Sequence, residues 1–232
     1  MKIVKASYEI LTPIDRKTFL KTIEIAGRTC YKSKSRITED SASKFVKMLV
    51  NKGHHAMIEH APSISVKFIV DRGVSHELVR HRLFSFAQES TRYCNYGKNN
   101  IQFILPCWFE ETCLATEAIQ GNHAVNHYNI SDMIHELYPA EEIWYRSMLE
   151  AENAYKILLE QGWQPQQARS VLPNSLKTEI IVTGNVREWI HFFKMRTASV
   201  AYPQMREVAI PLYNELKELL PEIFDGIEVQ DT

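Results

Sequence analysis

An α+β fold, with a mixed or antiparallel sheet flanked by helices, is predicted by three observations. Residues 2–11 and 63–70 alternate apolar and polar side chains, and 176–183 is rich in β-formers. Helical periodicity recurs at 15–28, 41–52, 74–83, about 131–161, 185–197 and 203–220. These strands and helices do not follow one another in βαβ order, which argues against a doubly wound parallel sheet.

In chain order, Val4, Ala6, Tyr8 and Ile10 lie on one face of the first strand, with Lys5, Ser7 and Glu9 opposite. The helix at 41–52 is stopped by Gly53. Ile64, Val66, Phe68 and Val70 form one face of the strand at 63–70. Residues 84–100 read as a polar, aromatic loop, and 164–171 as a short helix stopped near Pro173. Asn185 is suited to cap the helix at 185–197, and Pro211 is expected to kink the last one. Residues 111–160 match no motif and are expected to be scaffold or interface. No repeat or Gly/Ser-rich linker interrupts the chain, so residues 1–232 are expected to form one domain.

Composition removes several classes of function. The 27 Lys and Arg balance 28 Asp and Glu, so no global basic field recruits nucleic acid or an anionic membrane. No apolar run reaches the ~18 residues of a membrane span. Lys2, Lys5 and Glu9 without a long apolar core do not make a secretory signal, and Cys30, Cys94, Cys107 and Cys113 lack paired spacing. Reduced thiols and a cytoplasmic protein are expected.

Arginine is clustered where lysine is spread. Arg80-His81-Arg82 is followed by Gln88, Glu89, Ser90, Thr91 and Arg92, and Arg169, Arg187, Arg196 and Arg206 lie in the last third. A planar guanidinium binds two oxygens of a phosphate or carboxylate at once. Basic, hydroxyl, amide and aromatic groups within so short a stretch suit an anionic, planar ligand. A basic helix end leading into a solvated loop has the same composition. A non-catalytic phosphate or nucleic-acid module could also be built on Arg80–Arg92, although the neutral net charge argues against it.

Metal chemistry is not expected. His76 and His81 are five apart, about 140° round a helix of 3.6 residues per turn, so they cannot share one face. His123 and His127 have suitable spacing but no third ligand. The cluster Gly53-His54-His55-Ala56-Met57-Ile58-Glu59-His60 reads either as an acid–base group or as a glycine helix stop with dipole-favoured histidines. On the 185–196 helix, Arg196 falls at the edge of the apolar side near Trp189 and Phe192, where a guanidinium needs an anionic or hydrogen-bonding partner. Cys94 and Ser90 are candidate nucleophiles. No GxSxG, GxGxxG or P-loop is present, so neither a serine hydrolase nor a Rossmann-bound dinucleotide is expected.

Arg80-His81-Arg82, seven residues, then Ser90 with Arg92 beyond, resembles the signature of the flavin-dependent thymidylate synthases. Gly53-His54 with Glu59-His60, Ala168-Arg169-Ser170-Val171-Leu172-Pro173-Asn174, and Asn185-Val186-Arg187 with His191-Phe192-Phe193 and Arg196-Thr197 resemble further segments of that family in order. The likeness spans roughly residues 50–210. It implies methylation of dUMP to dTMP, with methylenetetrahydrofolate as carbon donor and FAD, reduced by NADPH, as hydride carrier. It also implies a homotetramer with active sites shared between subunits. By position, Glu77, Arg80, Gln88, Glu89, Ser90, Thr91, Arg92, Arg169 and Arg196 would bind the nucleotide. His54, Ala56, Arg80, His81, Arg82, Gln88, Asn185, Val186, Arg187 and His191 would line the FAD site. Arg196 would activate the uracil, so neither Cys94 nor Ser90 need attack. The same fold and flavin acting on another pyrimidine nucleotide is the alternative. Two residues depart from the family pattern: Ala56 stands where many relatives have Ser or Thr, and Glu77 where many have Gln.

Overall fold

The computed structural model describes residues 1–97, 100–109 and 139–227. The strands are β1 (Lys2–Val4), β2 (Ser7–Ile10), β3 (Ile64–Asp71), β4 (Ser85–Gln88), β5 (Gln102–Ile104) and β6 (Lys177–Gly184). The helices are α1 (Arg16–Cys30), α2 (Ser41–Asn51), α3 (Arg72–Leu78), α4 (Pro139–Glu160), the short α5 (Pro165–Ala168), α6 (Val186–Arg196), α7 (Pro203–Leu219) and the short α8 (Pro221–Phe224). Tight 3-10 turns cover His55–His60 and Arg169–Val171.

The fold is α+β, as the patterning predicts. A four-stranded antiparallel sheet has the order β2-β3-β6-β4, while β1 pairs with β5 in parallel, Ile3 opposite Phe103. The antiparallel β2–β3 register follows from two contacts: Leu11 N donates to Ser65 O at 2.8 Å, and Lys67 Nζ meets Glu9 at 2.7 Å. The predicted face of β3 (Ile64, Val66, Phe68 and Val70) is fully buried. The alternation holds from Val4 to Leu11, whereas in β1 the buried residue is Ile3, on the opposite face; the segment is two strands, which join different sheets.

The chain forms two compact units. The first comprises Met1–Ser7, Phe68–Leu78 and Ala87–Ile180; the second comprises Tyr8–Lys67, Val79–Phe86 and Ile181–Thr232. In the first, Ile101, Phe103, Met148, Tyr155, Ala168 and Leu176 form a core cluster. In the second, α6 buries Trp189, Phe192 and Phe193, whose rings meet Phe84, Tyr213 and Phe224 at 4.7 to 6.1 Å. Each such side chain contributes roughly 1.5–3 kcal/mol by leaving water. Trp189 satisfies its indole by donating Nε1–H to Ile64 O at 3.1 Å.

Helix ends follow the local chemistry. Asp15 caps α1 by accepting from Lys17 N and Thr18 N, and Asn185 caps α6 by accepting from Glu188 N at 2.9 Å. Gly53, at φ 72°, takes the left-handed conformation that stops α2, as predicted.

Two expectations are corrected. The helix expected at 74–83 starts at Arg72, where Asp71 accepts from Val74 N at 2.7 Å, and ends at Leu78. Arg80, His81 and Arg82 therefore lie in the turn that follows. The stretch 84–100 is not all loop: Ser85–Gln88 is β4, a strand whose half-buried Phe86 and Gln88 alternate with exposed Ser85 and Ala87. The last helix runs through Pro211, which is exposed. Of the helix expected at 131–161, the part before Pro139 lies outside the described residues, as do His123, His127 and Cys113.

Candidate active site

In the second unit, a cavity of about 770 Å³ opens between α6, the 80–83 turn and the 55–59 turn. Asn185, Arg187, Glu188, His191, Lys194 and Arg196 reach it from α6, Arg80, His81 and Arg82 from the turn after α3, and His55 and Glu59 from the 3-10 turn. Residues from three distant sequence segments thus share one wall. Their sign is strongly positive: Arg80, Arg82, Arg187, Lys194 and Arg196 face Glu59 and Glu188.

His81 is the centre of this wall. It is 5% exposed and is packed by the rings of Phe84, Phe192 and His191 at 5.9, 5.2 and 5.8 Å. Arg196 Nε donates to His81 Nε2 at 3.0 Å. Burial, reinforced by Arg196 and His191, lowers the His81 pKa to about 4, so the ring is neutral at pH 7. A guanidinium only donates, so Nε2 must carry the lone pair and Nδ1 the proton. Nδ1 lies 3.5 Å from Glu188 Oε1. That contact is therefore a neutral imidazole beside a carboxylate and not an ion pair. Burial raises the Glu188 pKa, opposed by His191 and Arg187.

His81, Glu188 and His191 place one ligand atom each within 4.8 Å of one another. The tautomer works against a metal there, because the His81 nitrogen facing Glu188 bears the proton and the other accepts from Arg196. We assign no metal step.

Arg187 Nη1 forms an ion pair with Glu59 at 2.6 Å, both residues being exposed. Burial, then Lys194 and Arg187, lowers the His55 pKa. Of the residues expected around the flavin, Arg80, His81, Arg82, Asn185, Arg187 and His191 line the cavity. His54 and Ala56 are exposed and do not line it; Val186 is buried in the core. Glu188 and Lys194 line it without having been singled out by motif; His55 and Glu59, both named in the 53–60 cluster, line it as well.

The remaining candidates lie in the first unit. Gln88 Nε2 donates to Ser75 Oγ at 2.9 Å and Thr178 Oγ1 at 3.2 Å, which orients its amide on β4. Glu89 is held by Tyr96 Oη–H at 2.7 Å, Lys177 Nζ at 3.5 Å and Glu179 N at 3.3 Å, and its carbonyl accepts from Arg72 at 3.2 Å. Burial, with Glu89 beside it, raises the Tyr96 pKa, so the phenol keeps its proton and donates. Ser90 makes a tight turn: its Oγ accepts from Arg92 N and its carbonyl from Tyr93 N and Cys94 N. The turn leaves Arg92 exposed, its guanidinium 5.5 Å from the Tyr93 ring. Arg169 Nη1 donates to Thr91 Oγ1 at 3.0 Å. Glu77 is half-buried on α3. Arg169 thus touches Thr91, the residue between Ser90 and Arg92 in this turn.

Residues 14–222 match the family model described as thymidylate synthase complementing protein. The chain is 35% identical over 215 residues to a flavin-dependent thymidylate synthase of Corynebacterium efficiens and 32% identical over 210 residues to one of Corynebacterium glutamicum. Each match covers 90% of this chain and 79% of the relative. The fold is similar to that of PolB from Streptomyces cacaoi, a UMP/dUMP methylase solved with 5-Br dUMP, at a TM-score of 0.72 and 20% identity, covering 99% of this chain and 100% of that one. Matched along nearly its whole length and by both relatives, the chain belongs to the flavin-dependent thymidylate synthase family.

Proposed function

We propose that this protein converts dUMP to dTMP, taking the carbon from methylenetetrahydrofolate and using FAD reduced by NADPH. The observation that carries this reading is the convergence of Arg80, Arg82, Asn185, Arg187, His191 and Arg196 on one cationic cavity. The donor set fits the flavin dinucleotide. Exposed guanidinium and ammonium groups suit its pyrophosphate, and about 770 Å³ accommodates much of a ligand of that size. When bound, the flavin supplies the hydride that reduces the transferred carbon to a methyl group.

The protein's own residues then have separable tasks. Arg80, Arg82, Arg187 and Lys194 hold the pyrophosphate, and Asn185 adds a neutral amide. Ser90, Arg92 and Arg169 hold the nucleotide phosphate and sugar, with Gln88 and Glu77 beside them. Arg196 faces the uracil. Its charge is permanent, so it stabilises negative charge on the ring after loss of the ring N–H proton, which activates the carbon to be alkylated. No protein nucleophile is needed, and Cys94 and Ser90 remain unmodified. Four copies assemble with shared sites, and the enzyme acts in the cytoplasm. Among the described residues no helix is long and apolar enough to cross a membrane.

Incubation of the flavin-loaded protein with methylenetetrahydrofolate, NADPH and, in turn, dUMP, UMP and dCMP tests the reading. Formation of dTMP from dUMP alone is expected. Exclusive methylation of another pyrimidine nucleotide would move the protein to a different substrate.

A further inference from the structure

We propose that Glu188 is a positioning residue: its carboxylate, placed beside the Nδ1–H of His81, favours the tautomer whose Nε2 receives Arg196. This rests on the reading that Arg196 acts on the uracil.

The two nitrogens of the His81 ring meet different partners. Arg196 Nε lies 3.0 Å from His81 Nε2, and His81 Nδ1 lies 3.5 Å from Glu188 Oε1. His81 and Glu188 are each 5% exposed, so water does not readily replace either partner. Glu188 occupies the third position of α6, where a carboxylate commonly returns to the amide of the capping residue. Here its backbone N–H meets Asn185 Oδ1 at 2.9 Å, while its carboxylate lies against the His81 ring. His191 and Arg187 are the other charged or titratable groups acting on Glu188, and Arg196 and His191 act on His81.

Without an acceptor at Nδ1, a neutral imidazole can move its proton to Nε2. Two donors, Nε2–H and the Arg196 Nε–H, would then face each other in a buried place, and the guanidinium would have to turn away. Arg196 has a long, rotamer-rich side chain, so its aim depends on such a fixed acceptor. This is the logic by which a buried carboxylate sets a histidine tautomer in hydrolytic triads, applied here to an arginine. The negative charge of Glu188 also offsets the permanent charge of Arg196 across the ring.

The first test uses the flavin-loaded wild-type protein with 15N-labelled histidine. Nuclear magnetic resonance at pH 7 should show His81 neutral with its proton on Nδ1; an Nε2–H tautomer or a doubly protonated ring would overturn the proposal. The second uses variants. Glu188→Leu should lower kcat roughly ten- to a hundredfold with flavin stoichiometry intact, the range seen when groups that orient a site residue are removed. Glu188→Gln keeps an acceptor and should restore most of that loss. Full activity in Glu188→Leu, or a Gln variant as impaired as Leu, would contradict the assignment. If Glu188→Leu does not fold, the wild-type tautomer decides. A wild-type protein that forms no dTMP refutes the proposed activity, and the tautomer then decides the role of Glu188 separately.

Discussion

Arg169 donates from Nη1 to the Thr91 hydroxyl across 3.0 Å, joining segments 78 residues apart in sequence. Thr91 is 9% exposed, while Arg169 remains exposed on its outer side. The hydroxyl holds one edge of the guanidinium, and the proposed function gives the rest of it to the nucleotide phosphate. Arg169→Ala should weaken dUMP binding by about 1.5–3 kcal/mol, the usual range for a charge-assisted hydrogen bond. Arg169→Lys should fall between, because an ammonium cannot hold Thr91 and a phosphate with one planar fork. Titration of the flavin-loaded protein with dUMP measures both; unchanged affinity in Arg169→Ala would remove this residue from the site.

Replacing Arg196 by Ala removes the charge assigned to the uracil. Turnover should fall on the order of 10²–10³-fold, as when one preorganised oxyanion donor is lost. Flavin binding should largely persist, because other cationic side chains share that cavity wall. Single-turnover kinetics with a flavin stoichiometry measurement separates the two effects, and near-normal turnover would refute the role.

Gly184 ends β6 against Phe84, and a Cβ built there overlaps the ring at Cδ1 and Cε1. Phe84 is buried against Trp189, so it has little room to move. Gly184→Ala should destabilise folding by about 1–3 kcal/mol through overpacking. Urea denaturation reads this as a lower midpoint; an unchanged midpoint would show that the ring relocates freely.

His81 makes stability depend on pH. Its pKa falls from 6.5 in the unfolded chain to about 4 in the fold. Between those values the unfolded chain binds a proton that the folded chain does not. The stabilisation is therefore complete above the unfolded value and is lost as the pH falls through about 4. The shift corresponds to about 3 kcal/mol. Glu188 acts oppositely, since burial raises its pKa and its contribution declines as pH rises. Unfolding free energies at pH 7 and pH 4 should differ less in His81→Gln than in the wild type. Equal pH dependence in both would contradict a buried, neutral His81.

Cys94 is half-buried beyond the Ser90 turn, with its backbone N–H on the Ser90 carbonyl at 2.9 Å. Because the chemistry assigns it no covalent step, Cys94→Ser should keep activity near that of the wild type. Complete loss in a folded, flavin-loaded variant would restore covalent catalysis as a possibility.

Three of the four strands of the larger sheet and the arginine motifs were readable in the sequence, for reasons that can be named. Period-two burial in β3 and the glycine stop at Gly53 are local properties of the chain. The arginine motifs are visible because charge stands out against its neighbours. Glu188 was hidden because a carboxylate in the first turn of a helix looks like a solvated charge, and only tertiary packing buries it against His81. The strand Ser85–Gln88 was hidden because its inward positions are Phe86 and Gln88, one of them polar. His55 and His54 are equivalent by composition. The 3-10 turn brings His55 to the cavity and leaves His54 exposed outside it, a choice that depends on backbone angles.

The most direct measurement is the product formed by the purified, flavin-loaded protein from dUMP, methylenetetrahydrofolate carrying a labelled carbon, and NADPH. Mass spectrometry should find the label in the methyl group of dTMP, with product formation lost in Arg196→Ala. Unaltered dUMP from a protein that binds both flavin and nucleotide would contradict the account.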